Sequence, residues 1–213
     1  MKDDPKQRIL DAGTRVFARK GYSGTGLREI AAEADVNLAM VSYYFGGKAG
    51  LLEAILSQFF EAIGASMKPV AEETGPPEER LRKLVHAMLR MVRGNTETFR
   101  VVLTEFPLEL PHIVGHRAEL LRTFVLPVMK QILGSLGKRM RKPPRIEMFG
   151  PLVGSVIMFH FLLRPVLQQV FPVKFDDKFY QEFGDDFTDL LLYGLIGQRP
   201  EPNDAEVQEE SDR

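Results

Sequence analysis

Apolar side chains recur at helical spacing along almost the whole chain. Over residues 5–20, Ile9, Ala12, Gly13, Val16 and Phe17 fall at i, i+3, i+4, i+7 and i+8, which places them on one stripe of a helix. Asp4 before Pro5 predicts a capped start with proline in the first helical position, and Gly21 predicts the stop. The pattern restarts over residues 27–34 and again over residues 38–45, where Asn37 is a good N-cap. Asp35, Val36 and Asn37 leave room for only a tight turn between these two short helices. A fourth helix is expected from Gly47 through Leu52, Ile55, Leu56, Phe59 and Ile63, ending before Pro69.

The stretch over residues 70–77, with Glu72, Glu73, Gly75 and two prolines, reads as a loop. Beyond it Leu81, Leu84, Val85, Met88 and Val92 resume the helical period, and residues 95–106 predict another helix. Pro107 and Pro111 mark a break, and Pro127 should kink or divide the long segment over residues 113–136. Lys138, Arg139, Arg141, Lys142 and Arg145 around two prolines read as a solvated connector. Two late helices, near residues 145–163 and 176–196, are apolar around nearly their whole circumference. Such helices need cover on more than one side, so a second copy of the chain is expected against them, with a central helix of a monomer as the alternative. The acidic tail over residues 199–213 is expected to be disordered. There is no internal repeat and no strand-like run. The expected fold class is therefore all-α, with domains at residues 1–48 and 49–198 ahead of the tail.

With 213 residues, 44% hydrophobic and 27% charged, the chain has the make-up of a folded, water-soluble protein. The 28 Lys plus Arg against 29 Asp plus Glu mean that a polyanion would have to be met by a local patch. Residues 1–50 hold 8 basic and 6 acidic side chains, a weak bias of the right sign. The absence of cysteine excludes disulfides, thiolate nucleophiles and Cys-ligated metals. The start of the chain does not read as a secretory signal, and the mostly apolar run over residues 149–163 is shorter than the roughly 20 residues that span a bilayer. A cytoplasmic protein without membrane contact is expected.

Function is most legible between Thr25 and Lys48. Two short helices joined by a three-residue turn form a helix-turn-helix, whose second helix enters the major groove of DNA while the first crosses the backbone. Ile30, Val36, Val41 and Phe45 supply a joint core, and Ala31 lets the helices approach. Leu38, Ala39, Met40, Ser42 and Tyr43 are left on the other faces, suited to thymine methyls, one hydroxyl hydrogen bond and a phosphate contact from the phenol. Arg28 and Lys48 flank the second helix and are expected to hold phosphates, with helix-start amides assisting.

The first helix ending in Phe17, Lys20, Gly21 and Tyr22 is followed by Leu27-Arg28-Glu29-Ile30-Ala31, then by residues 41–48, Val-Ser-Tyr-Tyr-Phe-Gly-Gly-Lys, and Leu51-Leu52. In order and spacing this resembles the DNA-binding domain of the TetR family of bacterial repressors, over about the first 65 residues. The resemblance implies an all-helical homodimer with an N-terminal reader and a C-terminal effector domain. It implies a regulator, usually a repressor, released by a small molecule. It assigns Ala39, Met40 and Ser42 to the base-reading places, Tyr43 and Lys48 to phosphates, and Tyr44 and Phe45 to packing. Gly26 departs from the family's frequent Thr or Ser, for which Thr25 is expected to substitute. Asp35 stands where the turn usually has Gly, a position whose left-handed backbone Asp tolerates better than most residues.

Other candidates are weaker. His112 and His116, four apart, suit a metal from one helix face, but no third ligand is well placed, so no metal and no cofactor is expected. His86, Met88, Met91, Phe99, Phe106, Met129, Phe159 and His160 are candidates for an apolar effector cavity; packed core explains the same residues equally well. Glu105, Arg122 and Arg164 are candidate charged partners for an effector. No nucleophile–base pair stands at a specific spacing, so an enzyme is not expected. A DNA-binding regulator leads, and a helical small-molecule carrier or sensor that does not bind DNA is the alternative.

Overall fold

The computed structural model describes residues 4–105, 111–137 and 145–194, which form ten α-helices with no strand among them. The expectations for Phe106, residues 138–144, Leu195, Ile196 and the tail at 199–213 lie outside the described residues. The chain divides into two compact units, Met1–Lys174 and Phe175–Arg213.

In the first unit α1 spans Pro5–Lys20, with the Asp4 carboxylate accepting the Lys6 N–H at 3.0 Å. It stops at Gly21, whose φ of 72° turns the chain away while its N–H bonds the Phe17 carbonyl at 2.8 Å. α2 (Leu27–Glu33) and α3 (Leu38–Phe45) follow, the second capped by the Asn37 side chain on the Ala39 N–H at 2.9 Å. α4 (Lys48–Glu72) leaves this cluster and enters the helical body. Ile9, Val16, Ile30, Val41, Leu51, Leu52 and Ile55 have no exposed surface and close one small core among α1–α4. Each such side chain contributes roughly 1.5–3 kcal/mol relative to leaving it in water.

The body comprises α5 (Pro77–Gly94), α6 (Thr96–Thr104), α7 (Pro111–Leu120), α8 (Leu126–Gly137) and α9 (Ile146–Val170). Three boundaries differ from the sequence expectation. α4 runs through Pro69 instead of ending before it. Its terminal carbonyls are taken by buried Arg80, with Nη2 at 2.7 Å from the Ala71 oxygen and Nε at 3.4 Å from that of Val70, and by Gln131 at 2.6 Å from the Ala71 oxygen. These donors let the last turn persist despite the proline. The division expected near Pro127 is a π-helical turn, Leu121–Val125, directly before that residue. The wider turn makes room for a ring that would otherwise meet the carbonyl four residues back. Here Phe124 presses on α4 at Gly64, where even a Cβ would lie 2.7 Å from that of Phe124.

The third difference is α9, which continues past residue 163 through Arg164 and Pro165 to Val170. At 25 residues it is long and apolar enough to cross a membrane by length and composition, contrary to the expectation from residues 149–163. Its inner face, Val153, Ile157 and Phe161, is buried, and the helix packs on α5, α6 and α8. Its outer face leaves Met148, Leu152, Phe159, Leu162, Val166 and Val170 exposed, spaced by threes, fours and sevens as along a helix–helix seam.

The second unit holds α10 (Asp177–Tyr193), capped by the Asp176 carboxylate on the Phe179 N–H at 3.1 Å. Phe175, Phe179, Phe183 and Phe187 recur every four residues and form a ladder of rings with centroids 4.6, 6.0 and 6.2 Å apart.

Candidate nucleic-acid interface

The angle between α1 and α2 is set by ion pairs as well as by the core. Glu33 on α2 accepts from Arg15 Nε at 3.0 Å and from Arg19 Nη2 at 3.1 Å, and Lys20 meets Glu29 at 2.7 Å. Hydrogen bonds from the two arginines hold the Glu33 carboxyl below the usual carboxylate range. These cations of α1 are thereby committed to α2. Arg28, in contrast, is exposed on α2 and has no hydrogen bond or ion pair among the described residues.

Asp35 makes the turn with φ 52°, as its place between the two helices demanded. The Ala34 N–H bonds the Ile30 carbonyl at 2.9 Å and the Val36 N–H that of Ala31 at 3.0 Å, which locks the elbow. On α3 Val41 points into the core, while Tyr44, Phe45 and Met40 are half-buried. Leu38, Ala39, Ser42 and Tyr43 face out, Tyr43 most of all at 82% exposed, with its ring edge-on to Tyr44 at 5.1 Å. Consecutive helical residues point about 100° apart, so one tyrosine packs and its neighbour projects. The outward surface of α3 therefore offers methyl groups, one hydroxyl and one phenol.

Two expected phosphate ligands are placed otherwise. Thr25 is buried, and its hydroxyl donates to the Gly21 carbonyl at 2.7 Å, so it satisfies the turn after α1 instead of facing outward. Lys48 folds back as well: its ammonium donates to the carbonyls of Tyr22 at 2.8 Å and Thr25 at 2.9 Å and sits 4.3 Å from the Tyr22 ring centroid. Burial, with the charges of Glu53 and Glu105 adding to it, raises the Tyr22 phenol above its ordinary pKa. Sequence reasoning missed the partner that completes this turn, Glu105, whose carboxylate accepts the Tyr22 N–H at 2.8 Å from 83 residues away. No local spacing signals such a contact.

The effector candidates do not form one set. His86, Met91, Phe99 and Met129 are buried, and Met88 and His160 half-buried, whereas Phe159 is 59% exposed on the outer face of α9. The long helix forces this split, because Phe159 and Phe161 lie on opposite sides of it. Phe59, Phe99 and Phe161 pack ring against ring with centroids 5.9 Å apart at each step. Burial, and then the charge of Arg164, lower the pKa of His160. A cleft of about 420 Å³ lies elsewhere, lined by Asp11, Thr14, Arg15, Gln58 and residues 94–98, and none of the described effector candidates borders it. His116 is bonded to Ser57 Oγ at 2.8 Å, and no cluster of three metal-ligating side chains exists among the described residues.

Residues 9–55 match the family model for bacterial regulatory proteins of the tetR family. A probable HTH-type transcriptional regulator of Bacillus subtilis (strain 168), YttP, is 37% identical over 111 residues, which cover 51% of this chain and 54% of that protein. The HTH-type transcriptional repressor NicS of Pseudomonas putida is 30% identical over 103 residues, covering 48% and 49% of the two chains. The chain thus spans about half the length of the curated relatives it matches. The whole fold is similar to that of the fatty acid degradation regulator FadR from Bacillus halodurans, at a TM-score of 0.76 and 19% identity, covering 93% of this chain and 100% of that one.

Proposed function

We propose that the chain, whose residues 9–55 match the family model for bacterial regulatory proteins of the tetR family, is a homodimeric transcriptional repressor released from DNA by a small apolar or amphipathic effector. The observation that carries this reading is the locked elbow with Tyr43 projecting from α3. In this reading Leu38, Ala39, Met40 and Ser42 meet base edges, and Tyr43 and Arg28 meet phosphates. A two-fold dimer presents its two α3 helices to successive major grooves roughly 34 Å apart, so the operator is a near-palindrome. The exposed seam of α9 takes the second copy, together with α10, as the apolar circumference of both suggested. A protein seam suits α9 better than lipid, since its other face already packs on helices and Arg164 lies within it. The effector is assigned to the Met and Phe side chains on the inner faces of α5, α6, α8 and α9, where thioethers and rings adapt to an apolar shape.

The test is selection of duplexes from a random-sequence pool by the purified full chain, followed by titration across salt. Specific, near-palindromic duplexes whose affinity falls steeply with salt are expected. A Tyr43→Ala, Arg28→Ala double variant that binds them as tightly as the wild type would overturn the assignment of the reader.

A further inference from the structure

The turn between α1 and α2, residues 21–26, is held by charged side chains from two distant helices. At Tyr22 the N–H is taken by the carboxylate of Glu105, the C-cap residue of α6, and the C=O by the ammonium of Lys48, the first residue of α4. Glu105 is itself only 6% exposed, and its backbone carbonyl accepts from Arg117 of α7, equally buried. Gly21 admits the carboxylate closely: a Cβ there would stand 3.4 Å from Glu105 Oε1, at a φ of 72° that disfavours any other residue. Burial lowers the Arg117 pKa, and the Glu105 charge opposes that shift. α6 thus adds one carboxylate to its packing along α1, and α7 bears on the same residue through Arg117.

We infer that Glu105 is a positioning residue through which movement of α6 and α7 sets the tilt of the α2–α3 elbow, and hence its fit to DNA. This rests on the regulator reading above and names the contact by which its effector domain speaks to the reader. A hydrogen bond of 2.8 Å is lost when its partners separate by about 1 Å. A small shift of the α6 terminus therefore releases the Tyr22 amide, whereas the packed apolar contacts of α1 would tolerate it. With the bond made, both elbows of a dimer are held at one orientation and two half-sites are engaged together. With it broken the turn at residues 21–26 keeps the Lys48 contacts and the packing of α1 on α6, but the Tyr22 amide is no longer fixed to the end of α6.

The experiment uses the full chain, the Glu105→Met variant, which keeps the volume and removes the acceptor, and Glu105→Gln, which keeps an acceptor. The probe is the duplex that the wild type selects from a random pool. Amide hydrogen exchange at Tyr22, duplex affinity and the thermal midpoint are measured together. In Glu105→Met, Tyr22 should exchange faster and affinity should fall roughly tenfold, with Glu105→Gln recovering most of both. Unchanged affinity in Glu105→Met, beside faster exchange, overturns the coupling and leaves the regulator reading standing. A loss of affinity no larger than the fraction unfolded in either variant overturns it too. If the wild type selects no duplex, the regulator reading falls, and the coupling falls with it.

Discussion

The reader and the face of α9 solve the same problem in opposite ways. Among α1–α4 most apolar side chains are withdrawn into a closed core, Arg15, Arg19 and Lys20 of α1 are bound to α2, and the surface of α3 exposes Leu38, small groups and one tyrosine. Along α9 six apolar side chains stand in solvent on one seam, opposite the buried Val153, Ile157 and Phe161. Exposed single apolar groups are ordinary, but a contiguous seam of this length is not. The contrast teaches that the apolar core of α1–α4 is closed within one chain, whereas the outer face of α9 is left open to solvent.

The largest effect should come from hollowing the reader. Ile30→Ala removes a side chain with no exposed surface from the joint of α2 and α3 and should cost about 2–5 kcal/mol, read from chemical denaturation. Phe159→Ala on α9 should leave the monomer's fold nearly untouched by the same measurement; a comparable loss would mean that the seam belongs to the core. Phe159→Glu then tests the partner. A charge in the middle of a dimer seam should cost roughly 2 kcal/mol or more of association, seen as a shift toward monomer in sedimentation, and a wild type that is monomeric at all concentrations refutes the seam.

Smaller effects sharpen the account of the elbow. Tyr43→Ala should lower duplex affinity by about 1–3 kcal/mol with little change in stability, since the ring is exposed; equal losses in both would mark it as packing. Asp35→Gly should stabilise the chain by up to about 1 kcal/mol, because glycine adopts a φ of 52° without strain, and should also strengthen DNA binding by removing an exposed negative charge. The smallest effect concerns Glu33. Its folded pKa lies below the ordinary 4.5, so its pairs with Arg15 and Arg19 add stability above that value and lose it as the pH falls through the folded pKa. The gap in thermal midpoint between wild type and Glu33→Gln should narrow in acid, and a gap constant from neutral pH to pH 3 would show that the pairs contribute nothing.

The amino-acid sequence by itself determined the helical class, the starts and stops of α1 and α3, the elbow at Asp35 and the division of labour between Tyr43 and Tyr44. All of these follow from caps, glycines and periodicity, interactions that reach no further than about one helical turn. Tertiary structure alone decided that Lys48 and Thr25 turn inward to bonds with backbone carbonyls, that α4 outlasts Pro69 under the donors of Arg80 and Gln131, and that α9 passes Pro165 with Phe159 on its outer side. It also decided that Glu105 meets Tyr22. A backbone carbonyl or amide is the same group at every position, so which charged side chain satisfies it depends on chain segments that folding brings together, and no spacing along the sequence encodes that meeting.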